Sequence, residues 1–336
     1  MVMQLIRILL GLLLISAFSI DLDAQKRRDV FDGPYVFERD ENFRLLWVER
    51  GRRRKIDLPV HSDSIWSVEG LPNLDLSKLS FRTDTTTAFK GVSRFAALSD
   101  VHGQYDLMCD LLRANGIINE LGHWTYGDGH LVVLGDVFDR GQKVTEILWF
   151  LFFLEKQAEK AGGKVHLLLG NHEMMILHGN KTYIHPKYIM SSGILNRDYH
   201  ALFDENSILG KWLRSKKVCI TINDYVFVHG GFSKPVLEQI NDLSEVNKLF
   251  ADNIIPSPPD EYEKGQLLSE LYFDNGPLWY RGYAEPNNFD VEQAEYILNK
   301  LDKESIIIGH TSMPQIYALH SNRIILIDSS MKFGKA

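Results

Sequence analysis

The sequence is poor in cysteine and carries no excess of positive charge. Its two cysteines, Cys109 and Cys219, each lie in an apolar pattern, so we expect buried thiols rather than a disulfide bridge. The formal net charge of -7 lacks the basic footprint of nucleic-acid-binding proteins, and no nucleic acid partner is expected. The basic run at 50–55 is the exception, and we interpret it as a solvated hairpin turn centred on Gly51.

The N-terminal apolar run is too short to span a bilayer. It covers Ile8–Ile20, follows the basic residue Arg7 and precedes a short polar stretch. These are the proportions of a secretory signal peptide at 1–24, with cleavage expected after Ala24. We therefore expect an exported protein, periplasmic or secreted, without stable membrane insertion once the signal is cleaved. A retained membrane anchor is the alternative.

The rest of the chain divides into an extension and a larger domain. Residues 25–92 alternate aromatic and β-branched runs with charged turns, which predicts a small β-rich extension. In 93–336 strands alternate with helices, which indicates an α/β domain. Two insertions at about 174–217 and 234–302 interrupt this alternation, and we expect them to form helical caps that select the substrate.

Five apolar stretches of the larger domain end in a polar residue beside glycine. The central stretch, Leu131–Gly141, reads L-V-V-L-G-D-V-F-D-R-G and predicts a strand buried on both faces. Its Asp136, which comes after Gly135, would lie at the carboxyl end of the strand, where open α/β sheets place their ligands. We expect all five strands to bring such residues to one edge of a sheet. The polar residues after the strands are Asp100, His102, Asp136, Asn171, His172, Glu173, His229 and His310.

The residue types at these strand ends indicate a metal site. Carboxylates, imidazoles and an amide oxygen suit Mn, Fe or Zn, and no thiolate takes part. A carboxylate shared by two ions would hold them about 3.5–4 Å apart, which is the spacing of two-metal hydrolases. We therefore expect two divalent or trivalent ions as cofactors.

The same stretches carry a family resemblance. S-D-V-H-G, G-D-V-F-D-R-G, G-N-H-E, H-G-G and G-H-T resemble the signature of calcineurin-like metallophosphoesterases, within about residues 94–330. The match is to the phosphoprotein phosphatase type, and the stretches H-P-K-Y and L-W-Y-R-G are most similar to the Shewanella-like protein phosphatases. Ser99 departs from the usual glycine of that branch. The resemblance implies a two-sheet β-sandwich flanked by helices.

The resemblance also implies a role for each residue. Asp136 would bridge the two metals, Asp100 and His102 would complete the first site, and Asn171, His229 and His310 the second. His172 would protonate the leaving group, Asp139 would orient it, and Glu173 is a possible supporting partner. The residues expected to bind the substrate phosphate are Arg140, Asn171 and Arg281.

Together these features predict a hydrolase of phosphate monoesters that uses direct attack of a metal-bound hydroxide. The resemblance implies phosphoproteins as substrates, with phosphotyrosine preferred. A diadenosine polyphosphate hydrolase or a nucleotidase is the alternative enzyme, because both share the same core. A metal-binding recognition module is the non-enzymatic alternative, but such a module needs neither Arg140 nor His172.

Overall fold

The structure is a computed structural model that describes residues 30–60, 64–259, 266–285 and 289–334. The predicted signal peptide lies outside these residues. The strands are β1 (Asp32–Arg39), β2 (Asn42–Glu49), β3 (Arg52–Pro59), β4 (Ile65–Trp66), β5 (Leu74–Asp75), β6 (Ala88–Phe89), β7 (Phe95–Leu98), β8 (His130–Val133), β9 (Lys164–Leu167), β10 (Cys219–Ile222), β11 (Tyr225–Val228), β12 (Ser305–Ile308), β13 (Tyr317–Leu319) and β14 (Ile324–Leu326). The α-helices are α1 (Tyr105–Ala114), α2 (Val144–Lys160), α3 (Asn171–Leu177), α4 (Pro186–Leu195), α5 (Ile208–Arg214), α6 (Lys234–Gln239), α7 (Leu243–Leu249), α8 (Leu267–Tyr272) and α9 (Val291–Leu301).

Two sheets form the centre of the molecule. One is parallel, in the order β7-β8-β9, and the other has six strands in the order β13-β14-β12-β11-β10-β6. Apolar side chains from both sheets meet in one buried cluster that includes Val132, Leu168, Ile220, Phe227 and Ile307. This arrangement confirms the predicted α/β fold of two sheets flanked by helices.

Strand β8 shows why the apolar run becomes the central strand. Leu131, Val132, Val133 and Leu134 are all fully buried. Val132 and Leu134 face the cluster between the sheets, whereas Leu131 and Val133 join the larger cluster beneath the helices. Burying a side chain of this size contributes about 1.5–3 kcal/mol, so a run that is apolar on both faces is most stable between two layers.

The five ligand-bearing strands do not share one sheet. Strands β7, β8 and β9 belong to the parallel sheet, whereas β11 and β12 pair in the six-stranded sheet. The expectation of a single sheet edge was therefore wrong. The carboxyl ends of both sets nevertheless meet, because Gly309 in the turn after β12 lies against Ser99 and Asp100 in the turn after β7.

The N-terminal extension forms a three-stranded antiparallel sheet, β1-β2-β3, against the domain. Its buried Asp32 accepts hydrogen bonds from the hydroxyls of Tyr35 (2.8 Å) and of Thr145 on α2 (3.0 Å). The last strand of this stretch, β6, pairs in parallel with β10 and so belongs to the six-stranded sheet. The basic run is only partly a turn, since Arg50 and Gly51 form the turn and Arg52 begins the exposed strand β3.

The two insertions are largely helical. The first contains α4 and α5, and the second contains α6 to α9. Both cysteines are buried and free, as predicted. In the part of the chain that the structure describes, no helix combines the length and apolar character needed to cross a membrane.

Candidate metal centre

Four of the candidate ligands lie in strained backbone conformations on the turns that follow the strands. The φ angle is +54° at Asp100, +44° at His102, +56° at Asp136 and +62° at His310. Non-glycine residues adopt this left-handed region at a cost of order 1–3 kcal/mol each, and they keep it where the surrounding structure fixes them. Such strain concentrated at one place is typical of a functional site.

Glycines beside these residues allow the turns to approach one another closely. A Cβ atom at Gly170 would overlap Oδ1 of Asp136, and one at Gly309 would overlap Oγ of Ser99. Glycine is therefore needed at both positions, because a side chain of the neighbouring turn occupies the space that a Cβ atom would take.

Asp136 lies between two groups of donor atoms. Its Oδ1 is 3.3 Å from Nε2 of His229, and its Oδ2 is 3.5 Å from Nε2 of His102. On the first side, Nε2 of His229 also lies 2.9 Å from Oδ1 of Asn171. His310 completes this side, since ligand atoms of Asp136, His229 and His310 lie within 4.8 Å of one another.

On the other side of Asp136 lie His102, which the sequence predicts to be a metal ligand, and His172, which it predicts to be a proton donor. Ligand atoms of His102, Asp136 and His172 lie within 4.8 Å of one another. Asp100 lies there too, with its Oδ1 4.0 Å from Nε2 of His102. His172 differs from His102 because its Nδ1 is 2.5 Å from Oδ2 of Asp139, so a carboxylate orients its ring.

Backbone carbonyls fix the tautomers of two histidines. Nδ1 of His229 donates to the carbonyl of Leu134 (2.6 Å), and Nδ1 of His102 donates to the carbonyl of Phe138 (2.7 Å). Since a carbonyl only accepts, both rings carry a proton on Nδ1, which leaves Nε2 of each ring facing Asp136 as the atom that can bind a metal. A metal ion that binds here would replace any proton on Nε2 and use its lone pair together with the oxygens of Asp136.

The buried charge of the site also favours cations. Asp100, Asp136, Asp139 and Glu173 are buried. Within the described ranges the three aspartates form ion pairs only with histidines, and Glu173 contacts backbone N–H groups. Burial alone would lower the pKa of His229, but the carboxylates of Asp136 and Asp100 outweigh it and raise that pKa to about 9. The same negative charge that favours a proton on the buried imidazole of His229 also favours a metal ion bound by oxygen and nitrogen atoms.

Glu173 supports the turn that carries Asp136. Its carboxylate accepts hydrogen bonds from the backbone N–H groups of Asp136 (2.8 Å), Val137 (2.7 Å) and Gly170 (2.7 Å). It therefore joins the turn after β8 to the start of α3. Sequence reasoning had suggested a supporting partner, and the structure shows that its contacts are with backbone groups.

We expect Glu173→Gln to weaken metal binding without removing a ligand. The glutamine amide would direct an N–H group at backbone donors, which leaves buried polar groups unsatisfied and loosens the turn of Asp136. Loss of such supporting contacts typically lowers metal affinity about 10- to 100-fold. Titration of the apoprotein with Mn or Zn, together with thermal unfolding, measures the effect.

The surface residue Glu238, which pairs with Lys234, provides a matched control. Glu238→Gln is expected to bind metal as the wild type does. Unchanged affinity in Glu173→Gln would show that the turn holds its position without the carboxylate.

Arg140 is placed to bind an anion. It is exposed, it follows Asp139 in the left-handed region with φ of +63°, and its backbone N–H donates to the carbonyl of Tyr183 (3.0 Å). Its guanidinium lies 5.1 Å from the centre of the Tyr183 ring and makes no hydrogen bond or ion pair with the residues that the structure describes. The N–H groups of the Arg140 guanidinium are therefore available to a phosphate.

Arg281, the second arginine expected to bind phosphate, lies on the second insertion beside His310. Its Nη1 donates to the carbonyl of His310 (3.0 Å) and to the hydroxyl of Thr311 (3.3 Å). Nε2 of His310 in turn donates to the carbonyl of Trp279 (3.1 Å), which directs Nδ1 of this ring towards Asp136 and His229. One nitrogen of the Arg281 guanidinium thus stabilises the turn that carries the candidate ligand His310.

Sequence reasoning missed two residues of the site. The hydroxyl of Ser99, noted only as a departure from glycine, donates to Oδ2 of Asp100 (2.5 Å). Tyr183 lies against both Arg140 and His172. The signal for Tyr183 was weak, because a single aromatic residue in a polar loop has many ordinary explanations.

Comparison with known proteins identifies this centre. Residues 93–314 match the model of the calcineurin-like phosphoesterases. The chain belongs to this family. The matched segment includes all the candidate metal, proton-transfer and phosphate-binding residues described above.

Several relatives of this phosphoesterase carry phosphatase names. It is 31% identical to Shewanella-like protein phosphatase 1 of Plasmodium berghei, over 71% of this chain and 67% of that protein. It is 25% identical to Shewanella-like protein phosphatase 2 of Arabidopsis thaliana, over 74% of each chain. A crystal structure of the cold-active protein-tyrosine phosphatase of a psychrophilic Shewanella species is 37% identical, with a TM-score of 0.84, and the alignment covers 91% of this chain and 92% of that one.

These similarities, with the fold and the buried cluster of ligands, make the protein a metal-dependent phosphoesterase hydrolase. They also imply that its substrates are phosphorylated. The family membership that the five short motifs predicted is thereby confirmed.

Proposed function

We propose that the protein is a phosphatase that binds two metal ions, hydrolyses phosphate monoesters and prefers phosphotyrosine in proteins. The observation that supports this most is the position of Asp136, whose two oxygens face different groups of donors. In this proposal Asp100, His102 and Asp136 hold one ion, and Asp136, Asn171, His229 and His310 hold the other. Two such ions would lower the pKa of a coordinated water and offset the charge of the phosphate.

The remaining steps belong to side chains of the protein. The guanidinium of Arg140 binds two phosphate oxygens, Arg281 supplies a second cation at the rim, and Asn171 contributes its amide. Nε2 of His172 holds the proton that the leaving oxygen accepts, while Asp139 fixes the ring through Nδ1. Burial would lower the pKa of His172, but the carboxylates of Asp136 and Asp139 raise it above its ordinary value, which favours the protonated acid.

The preference for phosphotyrosine is supported by the similarity to the protein-tyrosine phosphatase of Shewanella. The donor set of nitrogen and oxygen atoms supports Mn, Fe or Zn as the metals.

The protein loaded in turn with Mn, Fe or Zn should be assayed on four substrates. These are p-nitrophenyl phosphate, a peptide that carries phosphotyrosine, the same peptide with phosphoserine in its place, and a diadenosine polyphosphate. We expect the highest kcat/KM on the phosphotyrosine peptide. Phosphate release measures the three monoesters, and nucleotide products measure cleavage of the dinucleotide. Faster cleavage of the dinucleotide would favour the alternative hydrolase, and the absence of any hydrolysis of all four substrates with every metal would favour the recognition module.

A further inference from the structure

We propose that Tyr183 is the residue that selects aromatic leaving groups, by contacting the ring of the phosphotyrosine as it departs. This inference rests on the proposed function and adds to it a residue of the first insertion. Tyr183 is 47% exposed, so its ring is accessible to a substrate. Among the described residues, its ring is not one of the side chains that pack against the two core clusters.

The position of the ring follows from its two neighbours. Its centre is 5.4 Å from the centre of the His172 ring, at an angle of 52° between the planes. The guanidinium carbon of Arg140 lies 5.1 Å from the same ring. Tyr183 therefore lies beside the two groups between which the substrate ester would be held.

That placement determines which part of the substrate it meets. Arg140 would bind the phosphate, and a proton donor such as His172 must lie within about 3 Å of the leaving oxygen. The first carbon atoms beyond that oxygen then fall beside the Tyr183 ring. For phosphotyrosine these atoms form a phenyl ring, and two aromatic rings attract each other at centre distances of about 4.5–7 Å. The short alkyl chain of phosphoserine offers no such contact.

The loop holds the tyrosine in place before any substrate binds. The carbonyl of Tyr183 accepts the backbone N–H of Arg140 (3.0 Å). One residue earlier, the N–H of Thr182 (3.0 Å) and its hydroxyl (2.6 Å) both donate to Oδ1 of Asn180. The backbone N–H of Asn180 in turn donates to the carbonyl of Met175 in α3 (2.8 Å). A side chain on an anchored backbone loses little conformational freedom when it contacts a ligand.

A second cleft, which Arg140 lines and Tyr183 does not, is a poorer place for a phenyl ring. It has a volume of about 310 Å³, and its lining includes the polar side chains of Gln104, Asp106, Lys143 and His185. An aromatic leaving group placed there would remove water from the ion pair of Lys143 and Asp106 without offering it a polar contact. The exposed face of Tyr183 has no such cost.

Tyr183→Ala and Tyr183→Phe test the inference on the metal-loaded protein. The phosphotyrosine and phosphoserine forms of one peptide are compared by kcat/KM, and the Ki of inorganic phosphate is measured alongside. We expect Tyr183→Ala to lower kcat/KM about 3- to 10-fold on phosphotyrosine and by less than about 2-fold on phosphoserine. Tyr183→Phe should behave as the wild type, because the hydroxyl makes no hydrogen bond with the described residues.

The Ki of phosphate separates contact with the leaving group from support of Arg140. Phosphate has no leaving group, so its Ki should stay the same in Tyr183→Ala. Equal losses on both peptides with a raised Ki would mean that the ring only positions Arg140, and unchanged rates on both would mean that it contacts nothing. Either result overturns the inference. Tyr296→Ala is a matched control, since Tyr296 is 39% exposed on α9 and its hydroxyl donates to Glu238.

A failure of the proposed function is distinguishable from a failure of this inference. If the wild type prefers phosphoserine or dinucleotides, phenyl phosphate and a simple alkyl phosphate replace the peptides. The role of Tyr183 is still upheld if its removal slows the aryl ester selectively. It is refuted if both esters slow equally.

Discussion

Asp136→Asn is expected to remove metal and activity together. The carboxylate faces His102 with one oxygen and His229 with the other, so the substitution weakens an anionic ligand of both proposed sites at once. Loss of a mere supporting contact typically costs 10- to 100-fold in metal affinity, so loss of this ligand should lower it by more than about 100-fold. Elemental analysis of the purified variant and kcat on p-nitrophenyl phosphate measure the two effects.

The fold should survive this change, because asparagine has almost the same shape and its Oδ1 can still accept from the backbone N–H of His172 (3.1 Å). Asp252→Asn serves as the control, since Asp252 forms a surface ion pair with Lys248. Two tightly held ions per chain in Asp136→Asn would refute the assignment of Asp136 as the bridge.

His172→Asn is expected to keep both ions but to slow esters with poor leaving groups. General acid catalysis contributes typically 10²–10⁴-fold, and that contribution is needed when the leaving oxygen must be protonated. We therefore expect a loss of about that size on phosphoserine and a far smaller one on p-nitrophenyl phosphate, whose phenolate leaves unaided. The measurements are kcat on both esters and metal content, in wild type and variant.

Asp139→Asn provides the matched comparison, because Asp139 contacts His172 and would act only through it. Its defect should show the same dependence on the leaving group, with a smaller loss. If His172→Asn slows both esters equally and keeps its metals, His172 positions the phosphate instead. Loss of metal from His172→Asn would show that His172 is a metal ligand, and ligand atoms of His172 do lie within 4.8 Å of those of His102 and Asp136.

Much of the site was predictable because each of its residues is marked by the short stretch of sequence around it. A strand that is apolar on both faces must be buried, and the polar residue that follows it must lie at the end of that strand. This reasoning selected Asp100, Asp136, Asn171, His229 and His310 as one group, and the structure places them together. Local pattern also predicted that both cysteines would be buried.

The tertiary structure decided what depends on contacts between distant segments. The division of the ligand strands between two sheets is set by packing across the cluster of Val132, Ile220 and Phe227, which no single stretch encodes. The tautomers of His102 and His229 depend on carbonyls that the fold brings to them. Tyr183 meets His172 because an insertion returns to the centre, and the same strand-end motifs would be present whichever way that insertion folded.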